Sequence, residues 1–299
     1  MRDVYIINPA AGRKDSTEEL TAEIKKHYGD SAKIIITTGR GDALIQARRE
    51  AETGDEVRIF ACGGDGTCFE VLNGIVGYEN ASLGVIPIGS ANDFIKYFGY
   101  DSKPDFLNIE KQKNGSPLAI DLIKAGDKYC MNQICAGFDA RVADQMTKFK
   151  RLPLVSGSMA YNLSLIKNVL GKLGINIRVV TDGREFFSGS ALFAICANAP
   201  VYGGGYKSAP KATPYDGELD CVAIKTINLF KFLSLVGIYK RGEHEGLDVC
   251  NMGRCKEFEF YAEHEVPISL DGEIIYADKL KCEIVEKKIN FIVPEGIKC

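Results

Sequence analysis

The sequence predicts an α/β domain built on a doubly wound parallel sheet, followed by a second domain of antiparallel β-sandwich type. Three observations carry this reading. Apolar strand-like runs alternate with helix-like periodicity through the first hundred or so residues. Beyond Pro117 the texture changes to short runs of period-two alternation. Three of the loops that follow early strands are rich in glycine, proline and asparagine, and in such sheets ligands sit at the carboxyl ends of strands.

In chain order, Val4 to Ile7 reads as a strand, followed by a helix that Ser16 opens with Glu19 three residues on, and Lys33 to Thr37 as the next strand. A helix from Asp42 to Glu52, a strand from Val57 to Ala61, a helix after Thr67, a strand from Ser82 to Pro87 and a short helix near Asn92 to Tyr97 follow. Lys103 to Pro117, polar and carrying two prolines and a glycine, reads as the linker. The expected division is 1–117 and 118–299, with the last ~20 residues either finishing the sandwich or returning to the first domain. Strand-like runs then cover Leu118 to Lys124, Tyr129 to Ala136, Ile175 to Thr181, Phe186 to Ala197, Leu219 to Ile224, Glu257 to Tyr261 and Val266 to Leu270, with two more at Lys281 to Val285 and Ile289 to Val293. Helices are expected at Ala140 to Lys150, Tyr161 to Leu170 and Leu229 to Tyr239.

Composition narrows the function classes. The 299 residues, 45% of them hydrophobic, can bury a sizeable core. A formal net charge of −3 leaves no electrostatic footprint for nucleic acid. Ten cysteines scattered through apolar strands, behind an N-terminus without a signal peptide, read as the reduced thiols of a cytoplasmic protein. The spaced pairs Cys130/Cys135 and Cys250/Cys255 read as buried thiols, since zinc sites want tighter pairs and more ligands. No apolar run reaches the roughly 18 residues that span a bilayer, so any membrane contact is peripheral, at the inner face.

The stretch richest in chemistry is Cys62-Gly63-Gly64-Asp65-Gly66-Thr67, between a strand and a helix. Its glycines let the chain turn with bare N–H groups, and Thr67 with Glu70 reads as a capping box; a helix start behind bare amides is a phosphate site. Asp65 would repel phosphate unless a divalent cation lay between them, which points to metal plus polyphosphate. The P-loop and dinucleotide glycine fingerprints are both absent. Asp-Gly-Glu occurs twice, at Asp216-Gly217-Glu218 and Asp271-Gly272-Glu273. Each reads first as a type I′ hairpin turn; functionally, one carboxylate would act as base on an acceptor hydroxyl while others hold magnesium, and Glu273 is the candidate base. Tyr202 to Pro210, with three glycines, leads into Asp216, whose bend would suit a hard cation held mostly by carbonyls. His244, beyond a helix end, reads first as a surface residue, with capping the helix and contacting a phosphate as the alternatives. Met146, Phe149, Leu152 and Leu154, interleaved with Lys148, Lys150 and Arg151, fit either a membrane-contacting segment or a solvated helix end.

Taken in order, Asn8-Pro9 with Gly12, Gly63 to Thr67, Pro87 and Gly89 with Asn92-Asp93-Phe94, Asn132 with Gly137-Phe138-Asp139, the Gly203 to Asp220 block and Asp271-Gly272-Glu273 form a set. This set resembles that of the bacterial diacylglycerol kinase-like lipid kinases over nearly the whole chain. The Gly63 motif alone is shared with phosphofructokinases and NAD kinases. The resemblance implies a phosphofructokinase- and NAD kinase-like nucleotide domain, a β-sandwich lipid-substrate domain, and a cleft where ATP meets a lipid hydroxyl. It implies ATP held by Asn8, Pro9, Ala10, Ala11, Gly12, Thr37, Gly64, Asp65, Gly66, Thr67, Cys68, Phe69, Glu70, Ser90, Asn92 and Asp93, with Asp65 serving the phosphate-bound Mg2+. A second, structural magnesium is implied at Asp216, helped by main-chain oxygens of Thr213 and Glu218, and Glu273 as general base. Ala11 stands where the family usually has serine, Phe69 where it has asparagine, and Ser90-Ala91 where threonine-glycine is common; each lost polar contact is worth about 0.5–1.5 kcal/mol.

The expected activity is therefore an ATP- and Mg-dependent kinase of a membrane lipid, diacylglycerol by default. A soluble-metabolite kinase of NAD kinase type and a non-catalytic lipid- or nucleotide-binding regulator are the alternatives. Oligomeric state is not encoded in any of these patterns, a homodimer being one arrangement they admit.

Overall fold

The computed structural model describes residues 2–149, 159, 163, 164, 167, 168, 171 and 173–298, without the side chains of 146 and 147. The chain divides into two compact units. One comprises Met1–Leu122, Gly203–Gly205 and Val285–Cys299, the other Ile123–Tyr202 and Tyr206–Ile284.

The first unit alternates strands β1 (Arg2–Ile7), β2 (Lys33–Ile36), β3 (Val57–Cys62) and β4 (Ala81–Ile86) with helices α1 (Thr17–Tyr28), α2 (Asp42–Ala51) and α3 (Asp65–Ile75). The strands lie parallel in the order β2-β1-β3-β4. Because β2 lies on one side of β1 and β3 on the other, the winding reverses between β1 and β3, and the loops leaving those strands open at a topological switch point. Alternate residues of each strand face opposite layers. Tyr5, Ile7, Phe60, Cys62 and Ile86 bury against Leu20 and Ile24 of α1, and α2 and α3 pack on the other face.

The expected linker is instead largely helical, with three of its residues turned inward. Short helices α4 (Lys103–Leu107) and α5 (Ile109–Lys113) follow a 3₁₀ turn, Phe94–Phe98. Pro104 stands at the start of α4, where a missing N–H does no harm, so a proline taken as a linker signal is a helix-start signal. Phe106, Ile109 and Gln112 point inward at helical spacing, and the Gln112 amide donates to the carbonyls of Val85 (2.7 Å) and Phe106 (2.9 Å).

The second unit is antiparallel and has the character of a sandwich. Its strands are β5 (Ser116–Ala125, begun in the first unit), β6 (Lys128–Cys130), β7 (Gln133–Gly137), β8 (Ile175–Thr181), β9 (Arg184–Ala197), β10 (Leu219–Lys225), β11 (Cys250–Cys255), β12 (Glu257–Leu270) and the start of β13 (Glu273–Val293). The long strands β9 and β12 pair with β8 through their first halves and with β7 through their second halves. They bend between the two layers, β12 at a register shift between Tyr261 and Val266. Helices α6 (Phe138–Phe149) and α7 (Leu229–Arg241) cover one face; Phe138, Val142, Phe193, Val222 and Tyr239 share its core.

Two pairs of expected strands are single strands here. Glu257 to Leu270 runs through as β12, and the last two runs are one strand, β13, whose residues Asn290 and Phe291 pair in parallel with β4. Strand β11 was not expected: Asn251 and Gly253 dilute its pattern. The Tyr161 to Leu170 helix falls largely outside the described residues.

Candidate active site

At the switch point of the first unit, the three loops that follow β1, β3 and β4 are laced together. Asn8 leads: its N–H bonds the Cys62 carbonyl (3.0 Å), its Oδ1 accepts the Ala10 N–H (3.0 Å), and its Nδ2 donates to Thr67 Oγ1 (2.9 Å). The Gly63 N–H bonds the Ile86 carbonyl (3.1 Å), and the Gly89 N–H returns to the Gly63 carbonyl (3.0 Å). Two glycines make this approach possible. A Cβ on Gly12, at φ +82°, would stand 2.5 Å from the Ile88 carbonyl oxygen, and one on Gly89 would stand 2.3 Å from Gly64 Cα. Thr37 joins the edge through its N–H to the Ile7 carbonyl (2.9 Å).

Helix α3 begins at Asp65, two residues before the Thr67 expected to cap it, and no side chain caps it. The capping box is absent because its atoms are taken from a distance: Thr67 Oγ1 by Asn8, and Glu70 Oε1 by the Gly41 N–H (2.8 Å). The first N–H groups of the helix have no helical carbonyl to bond, which leaves the turn suited to an anion. Cys68 and Phe69 turn inward, and the Phe69 ring fills core. Ser90 is exposed and Ala11 half-exposed.

Asp65 bridges to the β4 loop by accepting the N–H groups of Asn92 (3.0 Å) and Asp93 (2.8 Å). Asn92 sits at φ +47° and donates its amide to the Gly63 carbonyl (3.0 Å). Burial, then the neighbouring Asp93 charge, push the Asp65 carboxyl up to about 6. Asp93 in turn pairs with Lys96 and accepts the Gly204 N–H (3.1 Å). Lys103 donates to the Gly89 carbonyl (3.1 Å), and burial, with Lys96 nearby, lowers its pKa. Two crowded carboxylates beside an open helix start and two lysines fit a phosphate chain with a divalent cation. Lys96 and Lys103 went unnoticed in the sequence, because a lone lysine carries no signal of what it faces.

In the second unit the two Asp-Gly-Glu tripeptides part company. Asp271 and Gly272, at φ +47° and +96°, form the two-residue turn joining β12 to β13, with Leu270 opposite Glu273. This is the expected type I′ turn. The Asp271 carboxylate accepts three successive N–H groups, those of Met131 (2.8 Å), Asn132 (3.2 Å) and Gln133 (2.7 Å), and so pins the turn to the start of β7. Glu273 is half-buried at the head of β13. At Asp216-Gly217 only the glycine has positive φ, so the expected type I′ turn is not formed there; these residues precede β10 rather than joining two paired strands.

Asp216 Oδ1 accepts the Glu218 N–H (3.2 Å), and its Oδ2 pairs with Arg254. Glu218 meets the same guanidinium at 2.6 Å. The Thr213 carbonyl accepts the Tyr215 N–H (2.9 Å). Magnesium fills most of its six positions with water, but the one carboxylate expected to anchor it, Asp216, is already paired with a guanidinium; as placed, this side chain does not fit the second magnesium expected there with the main-chain oxygens of Thr213 and Glu218. No group of three or more metal-ligating side chains placed to hold an ion occurs among the described residues.

Residues 3–125 match the model of the diacylglycerol kinase catalytic domain, and residues 132–293 match that of the YegS C-terminal NAD kinase beta sandwich-like domain. The chain belongs to the bacterial diacylglycerol kinase-like lipid kinase family. Within this lipid kinase family it is 28% identical over 295 residues to the diacylglycerol kinase of Bacillus subtilis, covering 97% of this chain and 95% of that one. It is 27% identical to the diacylglycerol kinase of Staphylococcus saprophyticus over 300 residues, 98% and 95% of the two chains. The crystal structure of a diacylglycerol kinase from Bacillus anthracis shares the fold, with a TM-score of 0.73 at 20% identity over 99% of this chain and 98% of that one.

Features that these kinase motifs do not include resolve mostly into packing. His244 is buried, not on the surface. Its ring leans on Tyr239, with centroids 4.7 Å apart, its Nε2 lies 3.0 Å from the Ser208 carbonyl, and burial lowers its pKa. Cys130, Cys135 and Cys255 are buried free thiols and Cys250 is half-buried, as expected of structural cysteines. The Met146 side chain, Lys150, Arg151, Leu152 and Leu154 lie outside the described residues. No helix among the described residues is long and apolar enough to cross a membrane.

Proposed function

We propose that the protein is an ATP- and magnesium-dependent kinase that phosphorylates a hydroxyl of a membrane lipid, with diacylglycerol as the first acceptor to test. The observation that carries the reading is the laced trio of loops at Asn8, Gly63 and Gly89, opening beside Asp65 at an uncapped helix start. The loop amides and the α3 terminus take the phosphate chain, with Lys96 and Lys103 adding positive charge beside it. When bound, magnesium would neutralise phosphate charge next to Asp65 and Asp93. Glu273 accepts the proton of the lipid hydroxyl as its oxygen bonds the γ-phosphorus and ADP leaves, a role worth roughly 10²–10⁴-fold in rate. Contact with the bilayer is peripheral, and the exposed Phe230 and Leu233 of α7 offer apolar side chains for it.

The test offers γ-labelled ATP and magnesium with diacylglycerol in detergent micelles and, separately, with NAD in solution. Label in the lipid fraction alone is expected. Label on NAD alone would transfer the protein to the soluble-metabolite kinases, and ATP binding without turnover on any lipid would make it a regulator.

A further inference from the structure

Arg254 stands opposite Asp220 in the antiparallel register of β10 and β11, on the side of the pair to which the Asp216 loop returns. Each of its three guanidinium nitrogens faces a different carboxylate: Nη2 faces Asp216, Nη1 faces Glu218 at 2.6 Å, and Nε faces Asp220 at 3.7 Å. The planar fork of an arginine, charged at any working pH, suits this arrangement as a point-charge ammonium would not. Asp220 is buried with its Oδ2 not hydrogen-bonded, and the Arg254 charge at 3.7 Å offsets part of that cost. Asp216, already committed through Oδ1 to the Glu218 N–H, keeps the loop closed on itself.

We propose that Arg254 is the resident cation of the Asp216–Asp220 loop, doing with a tethered guanidinium what a bound divalent ion would otherwise do, so that the second unit folds and holds this loop without metal. Any magnesium requirement of the protein then belongs to the nucleotide alone. The inference concerns stability and stands whether or not the lipid kinase reading holds.

Thermal unfolding of the full chain without nucleotide tests it, with magnesium chloride or with a chelator at matched ionic strength. The wild type and Asp216→Asn are expected to show Tm values that do not respond to magnesium, and Arg254→Gln to melt roughly 2–4 °C lower in chelator. Arg254→Lys, which keeps a charge but loses the fork, should fall between them and serves if the glutamine variant does not fold. A saturable rise of the wild-type Tm with magnesium that Asp216→Asn abolishes would overturn the proposal, as would an Arg254→Gln protein as stable as wild type in chelator.

Discussion

Two copies of one tripeptide do different physical work in this molecule. Asp271-Gly272-Glu273 makes a type I′ turn whose carboxylate is held by three neutral backbone N–H groups, whereas Asp216-Gly217-Glu218 makes no such turn and is held by a guanidinium. The first arrangement joins segments 138–140 residues apart, is partly enclosed and is insensitive to salt. The second is a partly exposed ion cluster whose strength depends on the solvent. Identical residues were steered to different ends by what lies opposite them, the start of β7 in one case and Arg254 in the other. A carboxylate that fixes backbone amides positions its neighbour, and here the neighbour is Glu273.

The largest effect that would sharpen this contrast is on stability. Asp271→Ala leaves three N–H groups without their acceptor and places alanine at positive φ, and is expected to lose about 3–4 kcal/mol in urea denaturation. Asp216→Ala should lose about 1 kcal/mol or less, since a partly exposed pair contributes little. Equal losses would erase the distinction.

Asp65 supplies an intermediate case, a carboxylate held by backbone N–H groups like Asp271 but crowded by a second acid. Its folded-state pKa, about 6, lies above the ordinary value, so between roughly pH 4 and 6 the folded protein binds the proton that the unfolded chain has lost. Its contribution to stability therefore falls as pH rises through that window, by at most about 3 kcal/mol, and Asp65→Asn should flatten the curve. ATP affinity in magnesium should move the other way, rising as pH climbs through about 6 and Asp65 ionises. A wild-type stability curve unchanged by the substitution would show that burial and Asp93 do not raise Asp65 in this way.

The smallest effect expected is the salt response of the Arg254 cluster. The stability gap between wild type and Arg254→Met, about 1 kcal/mol at low ionic strength, should narrow as sodium chloride screens the partly exposed charges, while the Asp271→Ala gap stays constant.

Much of the architecture was legible because burial writes itself into the chain: β1, β3 and β4, covered on both faces of the parallel sheet, are near-continuous apolar runs. Legibility failed where meaning depends on distant atoms. Thr67 and Glu70 have the spacing of a capping box, yet their partners are Asn8 and the Gly41 N–H, set by the fold and not by the helix. Pro104 reads as a breaker until Phe106 and Ile109 are seen to be buried behind it. The loops of the candidate site were found from their glycines, but not the lysines beside them, and nothing near Asp216 in sequence announces Arg254.

The most direct test of the account compares Glu273→Gln and Glu218→Gln in one diacylglycerol phosphorylation assay, with folding checked by Tm. Glu273→Gln is expected to fold normally and lose roughly 10²–10⁴-fold in kcat, while Glu218→Gln keeps its rate within a few-fold. Wild-type turnover in Glu273→Gln, or an equal loss in both variants, would contradict the assignment of chemistry to one tripeptide and structure to the other.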